Sequence, residues 1–217
     1  MICVPLFLAV VLASPLTAQT VSAVNGNIVF TDATGRSSRV TESNSDSDPG
    51  LSFDGRSVVF VRETPNHKVD TGMGDVEETE LWIARLDRKE APRRVLVGHP
   101  GNVLPGPGMV LAGFSNPQFS PDGRRVYFMA AAWATSAAIH MLDLKAGTTV
   151  FLFPGLGVEV IKGGKYRGFL IGTKNPVTED RGRDTAYWLL DPNGKEVKRI
   201  GERVDDLARF KGTSGLR

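Results

Sequence analysis

Two stretches of the sequence decide the fold: PGLSFDGRSVVF at residues 49–60 and PQFSPDGRRVYF at residues 117–128. They align without gaps at a spacing of 68 residues, and seven of the twelve positions are identical. Chance rarely produces so many identities in so short a stretch. We therefore infer an internal repeat, and a repeat of this period indicates an architecture built from stacked units.

Each copy has the pattern of a β-hairpin. In the second copy, Pro121 presets φ for the first corner of a turn, Asp122 suits the second corner, and Gly123 supplies a left-handed residue. Val126 and Phe128 then lie two positions apart, with Tyr127 between them, which is the alternation typical of a strand. The first copy has Phe53 in place of Pro121, which alters the stiffness of the turn but keeps its pattern.

Further strands follow each hairpin. A third, degraded hairpin spans 158–171, with Gly164 at the turn position. Third strands are predicted at 81–86, 138–143 and 186–191, and fourth strands at 93–97, 148–153 and 196–200. A half unit precedes them, with a third strand at 27–32 and a fourth at 38–41. The sequence thus predicts an all-β protein, a β-propeller of about three and a half to four four-stranded antiparallel blades that is incomplete or open.

The N-terminus has the pattern of an export signal. Residues 1–12 are uncharged and nearly all apolar, which matches a signal-peptide core and is too short for a bilayer span. We expect residues 1–18 to be a signal peptide that is cleaved after Ala18, and Ala23 is the second candidate cleavage site. The alternative interpretation of this segment is a buried N-terminal strand or helix. The expected location is periplasmic or secreted, with no stable membrane span in the mature chain. The propeller domain is predicted at 24–202.

The composition of the sequence argues against several classes of partner and site. The formal net charge is only +2 and the sequence has no block of Lys and Arg, so nothing indicates a nucleic-acid partner. The single cysteine, Cys3, lies inside the predicted signal peptide, so the mature chain has no thiol for a disulfide, a zinc site or a nucleophile. No cofactor is expected.

The C-terminal tail at 203–217 decides whether the ring closes. Residues 205–210 are interpreted either as one helical turn or as a closing strand that joins the N-terminal half unit. Without such a strand the blades have exposed edges, which are prone to pairing with other chains. A homodimer through open blade edges is the expected consequence.

The phrase FSPDG at 119–123, the strand that ends at Phe128 and the following strand closed by Asp143 resemble the TolB-like family of β-propeller repeats. The segment SRVT at 38–41 is similar to the fourth strand of these repeats. The resemblance covers about residues 26–202. It implies a periplasmic propeller that binds protein partners, because TolB itself works in the Tol-Pal envelope system in this way.

Long loops are the candidate binding regions, since binding residues concentrate on loops that a rigid scaffold positions. Such loops are predicted at 63–79, 98–115 and 175–184. The loop at 99–111 is apolar, and it forms either a protein-contact patch or a plug of the propeller centre. The candidate binding residues are His99, Asn102, Leu104, Met109, Leu111, Arg181 and Arg183.

Metal and catalytic signals are weak. Glu42, Asp46 and Asp48 place carboxylates in one loop, as calcium requires, but without EF-hand spacing, so a solvated loop is the favoured interpretation. His67, His99 and His140 have no partner at metal-ligand spacing, and no metal site or catalytic residue is predicted. The Gly-x-Ser-x-Gly nucleophile motif of serine hydrolases does not occur in the sequence.

Three functions remain open at this point. The leading hypothesis is a non-catalytic scaffold that binds a protein or a cell-envelope component. The alternative is a hydrolase or lyase with a carbohydrate or peptide substrate at the propeller centre. A degenerate propeller without an independent role is the third.

Overall fold

The computed structural model describes residues 18–70, 74–98, 111–132, 137–175, 177–178, 182–183 and 185–215. In these ranges the chain forms four antiparallel sheets of three or four strands, a small two-stranded arm and a C-terminal helix. The sheets follow one another along the chain and stack face to face. The predicted all-β propeller architecture, incomplete or open, is confirmed.

The first sheet has three strands, β1 (Thr20–Val24), β2 (Asn27–Thr31) and β3 (Ser37–Arg39), in that order. The sequence analysis predicted two strands here and missed β1. Asn25 and Gly26 connect β1 to β2 with φ values of 50° and 70°. Two consecutive residues of positive φ are typical of a type I′ hairpin turn, for which Asn-Gly is the preferred pair.

The second sheet contains β4 (Asp46–Leu51), β5 (Ser57–Asp70), β6 (Asp75–Arg85) and β7 (Arg93–Val97). The predicted loop at 63–79 was wrong, because β5 and β6 continue through most of it as a long hairpin. A register shift between Glu63 and Lys68 marks the start of this extension. Beyond it Val69 pairs with Val76 and is only 3% exposed, so burial of an apolar pair holds the arm in strand form.

The third sheet contains β8 (Ser115–Phe119), β9 (Arg125–Ala131), β10 (Ala137–Asp143) and β11 (Thr148–Gly155). Its strands occupy the predicted positions. β11 leads through a single residue into the next sheet. Successive sheets are therefore joined directly here, as expected for consecutive blades.

The fourth sheet contains β12 (Gly157–Val160), β13 (Leu170–Lys174), β16 (Ala186–Leu190) and β17 (Glu196–Gly201). A small arm of β14 (Val177–Thr178) and β15 (Gly182–Arg183) projects between β13 and β16. The degraded hairpin was predicted to turn at Gly164, but its second strand, β13, does not begin until Leu170. Gly164 and Gly168 both have positive φ, so two successive turns lengthen this connection.

The repeated turns fold in the same way in both copies. Ser52 Oγ donates a hydrogen bond to Asp54 Oδ1 and Ser120 Oγ donates one to Asp122 Oδ1, each at 2.6 Å. These hydroxyl bonds, with backbone amides that also donate to the carboxylates, lower the pKa of both aspartates below its usual value. The turns are therefore closed by ionised carboxylates at neutral pH.

Apolar layers between neighbouring sheets hold the blades together. Ile28 of the first sheet packs against Val58 and Phe60 of the second. The layer between the second and third sheets is the largest, and its buried members are Val59, Val61, Leu81, Ile83, Phe114, Phe119, Val126, Phe128, Ala130 and Leu142. The layer between the third and fourth contains Tyr127, Ile139, Met141, Phe153, Val158, Val160, Leu170 and Leu190. Each blade thus buries its face only by stacking on a neighbour.

The C-terminal tail is a helix, α1 (Val204–Thr213), and not the closing strand that was one of its two predicted interpretations. Asp205 and Asp206 lie in the first turn, where acids favour a helix, and Asp206 Oδ2 accepts a bond of 3.1 Å from the backbone N–H of Arg203. Leu207 and Phe210 lie one turn apart and pack on the outward face of the fourth sheet. In a strand, residues three apart point to opposite faces, so only one of these two side chains would reach the sheet. The helix places both of them on it and therefore buries more apolar surface.

Within the described residues, strand pairing does not close the sheets into a ring. Among the strands that the structure describes, none from β1–β3 pairs with one from β12–β17. Helix α1 covers the face of the fourth sheet on which a further blade would stack in a longer propeller. Within the described ranges, no helix combines the length and the apolar character that crossing a membrane requires.

Candidate functional site

The first strands of the four sheets line a common groove. β1, β4, β8 and β12 each lie at an edge of their sheet. The groove between them encloses about 640 Å³. Its polar lining residues are Gln19, Thr20, Ser22, Asp48, Asn116, Gln118 and Lys162, and its apolar ones are Val21, Ala23, Pro49, Gly50, Leu51, Phe53, Pro117, Phe119 and Val160. We call this space the central groove, because the inner strands of propeller blades surround the axis.

The repeat places two polar residues at equivalent positions in this groove. Asp48 and Asn116 each precede the proline of their repeat and have φ values of 47° and 50°. Both lie in β-bulges, between Ser47 and Gly50 in β4 and between Ser115 and Gln118 in β8. Asn and Asp tolerate positive φ better than most residues, and bulges redirect side chains. The exposed side chains of Asp48 and Asn116 therefore project into the groove.

A hydrogen bond joins these two bulges. The backbone N–H of Asn116 donates to Asp48 Oδ2 at 3.1 Å. The strands approach closely here, since a side chain at Gly50 would collide with the carbonyl oxygen of Pro117. The first repeat therefore has glycine where the second repeat has Gln118.

Amide side chains fix the opposite wall of the groove. Gln118 Nε2 donates to the carbonyl oxygen of Val158 at 2.7 Å, and Gln118 Oε1 accepts from the N–H of Val160 at 2.9 Å. Asn116 Nδ2 also donates to Val158 O, at 2.9 Å. β8 and β12 belong to different sheets and share no backbone ladder. Side-chain hydrogen bonds join them instead. Three side-chain hydrogen bonds thus hold this wall of the groove in place.

Of the predicted binding residues, only Leu111 and the backbone of Arg183 lie within the part of the chain that the structure describes. His99, Asn102, Leu104, Met109 and Arg181 lie outside the described residues. Leu111 is half-buried and packs against the apolar layer between the second and third sheets. Arg183 belongs to β15, in the arm of the fourth sheet.

The three weak calcium candidates lie in different surroundings. Asp46 is buried and forms a two-bond ion pair with Arg62, with an Nε–Oδ1 distance of 2.6 Å. Asp48 lines the central groove, and Glu42 lines a separate groove near the outer strands. In the described part of the chain, no group of three His, Cys, Asp or Glu side chains converges as a metal ion would require.

Neither of the two described histidines, His67 and His140, is among the residues that line the groove. His67 Nδ1 lies 3.5 Å from Glu78 Oε2 on the long arm of the second sheet. His140 is 1% exposed and is stacked on Phe128, with ring centroids 5.5 Å apart, and contacts Phe151 edge-on. Neither of its ring nitrogens has a hydrogen-bond partner among the described residues. Burial lowers the pKa of His140 to about 4, so it is a neutral core residue at physiological pH.

Sequence reasoning missed the central groove. The pattern that would have indicated it is the pairing of Asp48-Pro49 with Asn116-Pro117 in the two aligned repeats. Proline cannot donate a ladder hydrogen bond, so a proline inside a strand indicates an edge strand or a bulge. The convergence of four inner strands on one space depends on how the sheets stack, which no local pattern contains.

Known structures share this arrangement of blades, whereas no protein-family model matches the sequence. TolB from Acinetobacter baumannii superposes with a TM-score of 0.53 at 18% identity, over 84% of this chain and 40% of TolB. This chain folds as a TolB-like β-propeller. The blades are also similar to those of dipeptidyl peptidase 4 from Porphyromonas gingivalis, with a TM-score of 0.50 at 14% identity, over 85% of this chain and 31% of that one.

The TolB-like propeller described here spans less than half the length of either of these structures. At such low identity the likeness establishes the fold alone. A propeller is a scaffold that hosts unrelated functions, so the function has to be argued from the central groove and the surfaces around it.

Proposed function

We propose that this chain is an exported, non-catalytic propeller scaffold that binds an extended segment of a protein or cell-envelope component in the central groove. One observation carries the proposal: four edge strands, β1, β4, β8 and β12, turn toward a single open groove. An edge strand keeps N–H and C=O groups without a strand partner, and an extended peptide can pair with them.

The inner strand β1 is the best candidate for this pairing. Its burial is low along its whole length, with Thr20, Ser22, Ala23 and Val24 exposed. The neighbouring lining alternates amide and hydroxyl groups with apolar side chains such as Leu51 and Phe53. Such a mixed surface suits a peptide, because main-chain bonds supply affinity while small pockets select side chains.

The enzymatic alternative receives no specific support from the groove. Its described lining has one carboxylate, Asp48, and one amine, Lys162. Glycoside hydrolysis typically uses two carboxyl groups, and acid–base catalysis at neutral pH uses groups whose environment tunes their pKa. A binding role therefore accounts better for this lining than a hydrolase or lyase does. The fold does not discriminate between a binding role and a catalytic role, because the similar structures include both TolB and a peptidase.

The proposed location is the periplasm or the exterior of the cell. The apolar stretch at 1–12 and the resemblance to TolB support export. Strand β1 starts at Thr20, so cleavage after Ala18 leaves it whole, whereas cleavage after Ala23 removes most of it. We therefore favour Ala18. N-terminal sequencing of the protein recovered from the periplasm or medium tests both the export and the cleavage site.

Site-specific photocrosslinking tests the central groove. A photoreactive amino acid at Ser22 in β1 should form a covalent adduct with one partner in intact cells, because this exposed residue lines the groove. The same probe at Ser37, an exposed residue of β3 outside the groove lining, is the matched control. Adducts from the Ser37 probe alone, or none from either in cells that contain the folded protein, would overturn the proposal.

The loop at 99–111 stays a second predicted contact region. Capture of the partner identified by crosslinking should be compared between the full chain and a variant in which residues 99–111 are replaced by a short Gly-Ser linker. Reduced capture with an intact Ser22 adduct would add the loop to the binding surface. Unchanged capture would show that the loop at 99–111 is not part of the binding surface, and the central groove would then be the proposed binding site.

A further inference from the structure

A second groove lies between the outer parts of the first and second sheets. One wall follows the end of β3 and the connection to β4, and the other follows the turn between β6 and β7. It encloses about 540 Å³. Four arginines line it, Arg39, Arg62, Arg85 and Arg88, together with two carboxylates, Glu42 and Glu90. We call it the arginine groove.

The arginine groove exists because the first sheet has one strand fewer than the others. Among the strands that the structure describes, the second to fourth sheets each contain four, whereas the first ends at β3. The outer part of the second sheet, from β6 to β7, therefore extends beyond its neighbour. Trp82 and Ala84 of β6 remain at the base of the gap, between side chains of both sheets.

Arg62 at the base is held rigidly. Its Nε and Nη2 donate to the two carboxylate oxygens of Asp46, at 2.6 Å and 3.1 Å, and the Asp46 side chain is fully buried. The guanidinium carbon lies 4.2 Å from the ring centroid of Trp82, whose Nε1 donates to Glu80 Oε2 at 2.7 Å. The Arg62 side chain is 22% exposed, so N–H groups that Asp46 does not use face the groove.

The rim carries further positive charges. Arg85 has a carboxylate partner, Asp87, at 2.8 Å. The exposed side chains of Arg39 and Arg88 form no ion pair or hydrogen bond with the described residues. Arg88 also has a φ of 54°, which is uncommon for a residue with a long side chain.

We propose that the arginine groove binds a small compound that carries two or more carboxylate or phosphate groups. Planar guanidinium groups match the paired oxygens of such anions, and Arg39, Arg62 and Arg88 come from three different elements that surround one space. The volume falls within the range of small-molecule sites. Arg62 covers a face of Trp82, so the ring supports the guanidinium rather than stacking on a ligand. This site is independent of the peptide proposed for the central groove.

Calorimetric titration tests the proposal with two probes, inorganic pyrophosphate and citrate, in low-salt buffer. The test variant is R39Q/R88N, since Asn tolerates the positive φ at position 88. The control variant is R36Q/R124N, which removes the same charge from two exposed arginines outside the groove. We expect at least one probe to bind the unaltered chain and to weaken about tenfold in the test variant, with a change below about twofold in the control.

Each outcome decides the matter. Binding of citrate alone identifies carboxylates as the ligand groups, and binding of pyrophosphate alone identifies phosphates. Equal weakening in both variants would show that the affinity is a general charge effect, and absence of binding to the folded protein would overturn the site. Neither result affects the Ser22 crosslinking test, so this proposal and the proposed function fail separately.

Discussion

At the scale of single residues, Gly123 shows why the repeated turn keeps its glycine. Its φ is 69°, and a methyl group placed on it would meet no atom within 4 Å. The cost of Gly123→Ala is therefore conformational, and we expect a loss of about 1 kcal/mol in the free energy of unfolding. Urea denaturation measures it.

The control for this prediction is Gly163→Ala, since Gly163 has equally open surroundings but a φ outside the left-handed region. We expect this change to be neutral or slightly stabilising. Equal losses for the two variants would contradict the role of positive φ in the turn.

A second prediction at this scale concerns His140. Its pKa is lowered to about 4 by burial, whereas an unfolded histidine titrates near 6.5. The unfolded chain therefore binds a proton more readily, so the neutral form favours the fold above pH 6.5. Stability falls as the pH drops from about 6.5 to about 4, by about 3 kcal/mol in total. His140→Leu should flatten the pH dependence of urea denaturation in this window.

His67→Gln is the matched control, because His67 is 65% exposed at its side chain. It should keep the acid sensitivity of the unaltered protein. If His140→Leu retained the same fall in stability between pH 6.5 and 4, the buried imidazole would not be its cause.

At the scale of elements, helix α1 covers the last sheet. Leu207 and Phe210 contact an apolar face that includes Ile171 and Leu189, and Phe210 is stacked on Tyr166 with ring centroids 5.8 Å apart. Lys211 Nζ lies 2.7 Å from Glu159 Oε2, but this exposed pair contributes little. The helix is thus held mainly by two apolar side chains.

We expect Phe210→Ala to reduce the free energy of unfolding by about 1–2 kcal/mol, the value of losing a partly buried aromatic side chain. Val204→Ala, at a residue that is 69% exposed, should change it by less than about 0.5 kcal/mol. Chemical denaturation of both variants provides the comparison. Equal stability of the Phe210→Ala variant and the unaltered chain would show that the contacts of α1 with the fourth sheet contribute nothing to the fold.

At the scale of the whole molecule, the two ends of the open propeller are protected in different ways. Helix α1 covers the apolar face of the fourth sheet. The outward face of the first sheet is largely polar, because the register places Thr20 opposite Thr31, and Thr31 opposite Ser37. Neither end requires a second copy to bury apolar surface. Among the described strands, those at the blade edges, from which the sequence predicted a homodimer, pair with no strand of another sheet.

We therefore expect the chain to scatter light as a single copy, with a mass no greater than its 23.4 kDa. A variant with Leu207→Asp and Phe210→Asp should detach α1 and associate, because it exposes the face that a blade would cover. Size-exclusion chromatography with light scattering measures both. A mass of twice the chain for the unaltered protein would instead support the predicted homodimer through blade edges.

Local patterns determined the repeating part of this protein. Turn chemistry at Asp122-Gly123, alternation around Phe128 and the matching phrase at 49–60 are properties of neighbouring residues, so they predicted the hairpins, the four-stranded units and the propeller. The same reasoning failed where stability comes from distant contacts. The arm at 63–79 is a strand pair because Val69 is buried, and the tail is a helix because Leu207 and Phe210 reach the fourth sheet.

Only the tertiary structure decided where the two grooves lie. The central groove combines β1, β4, β8 and β12, and the arginine groove combines side chains from residues 39–92, so neither is visible in any short window. The sequence by itself determined the blade, since a blade is a local fold of about fifty residues. The stacking of blades determined the open axis, the covered end and both grooves, because these depend on which faces meet and on the missing fourth strand of the first sheet.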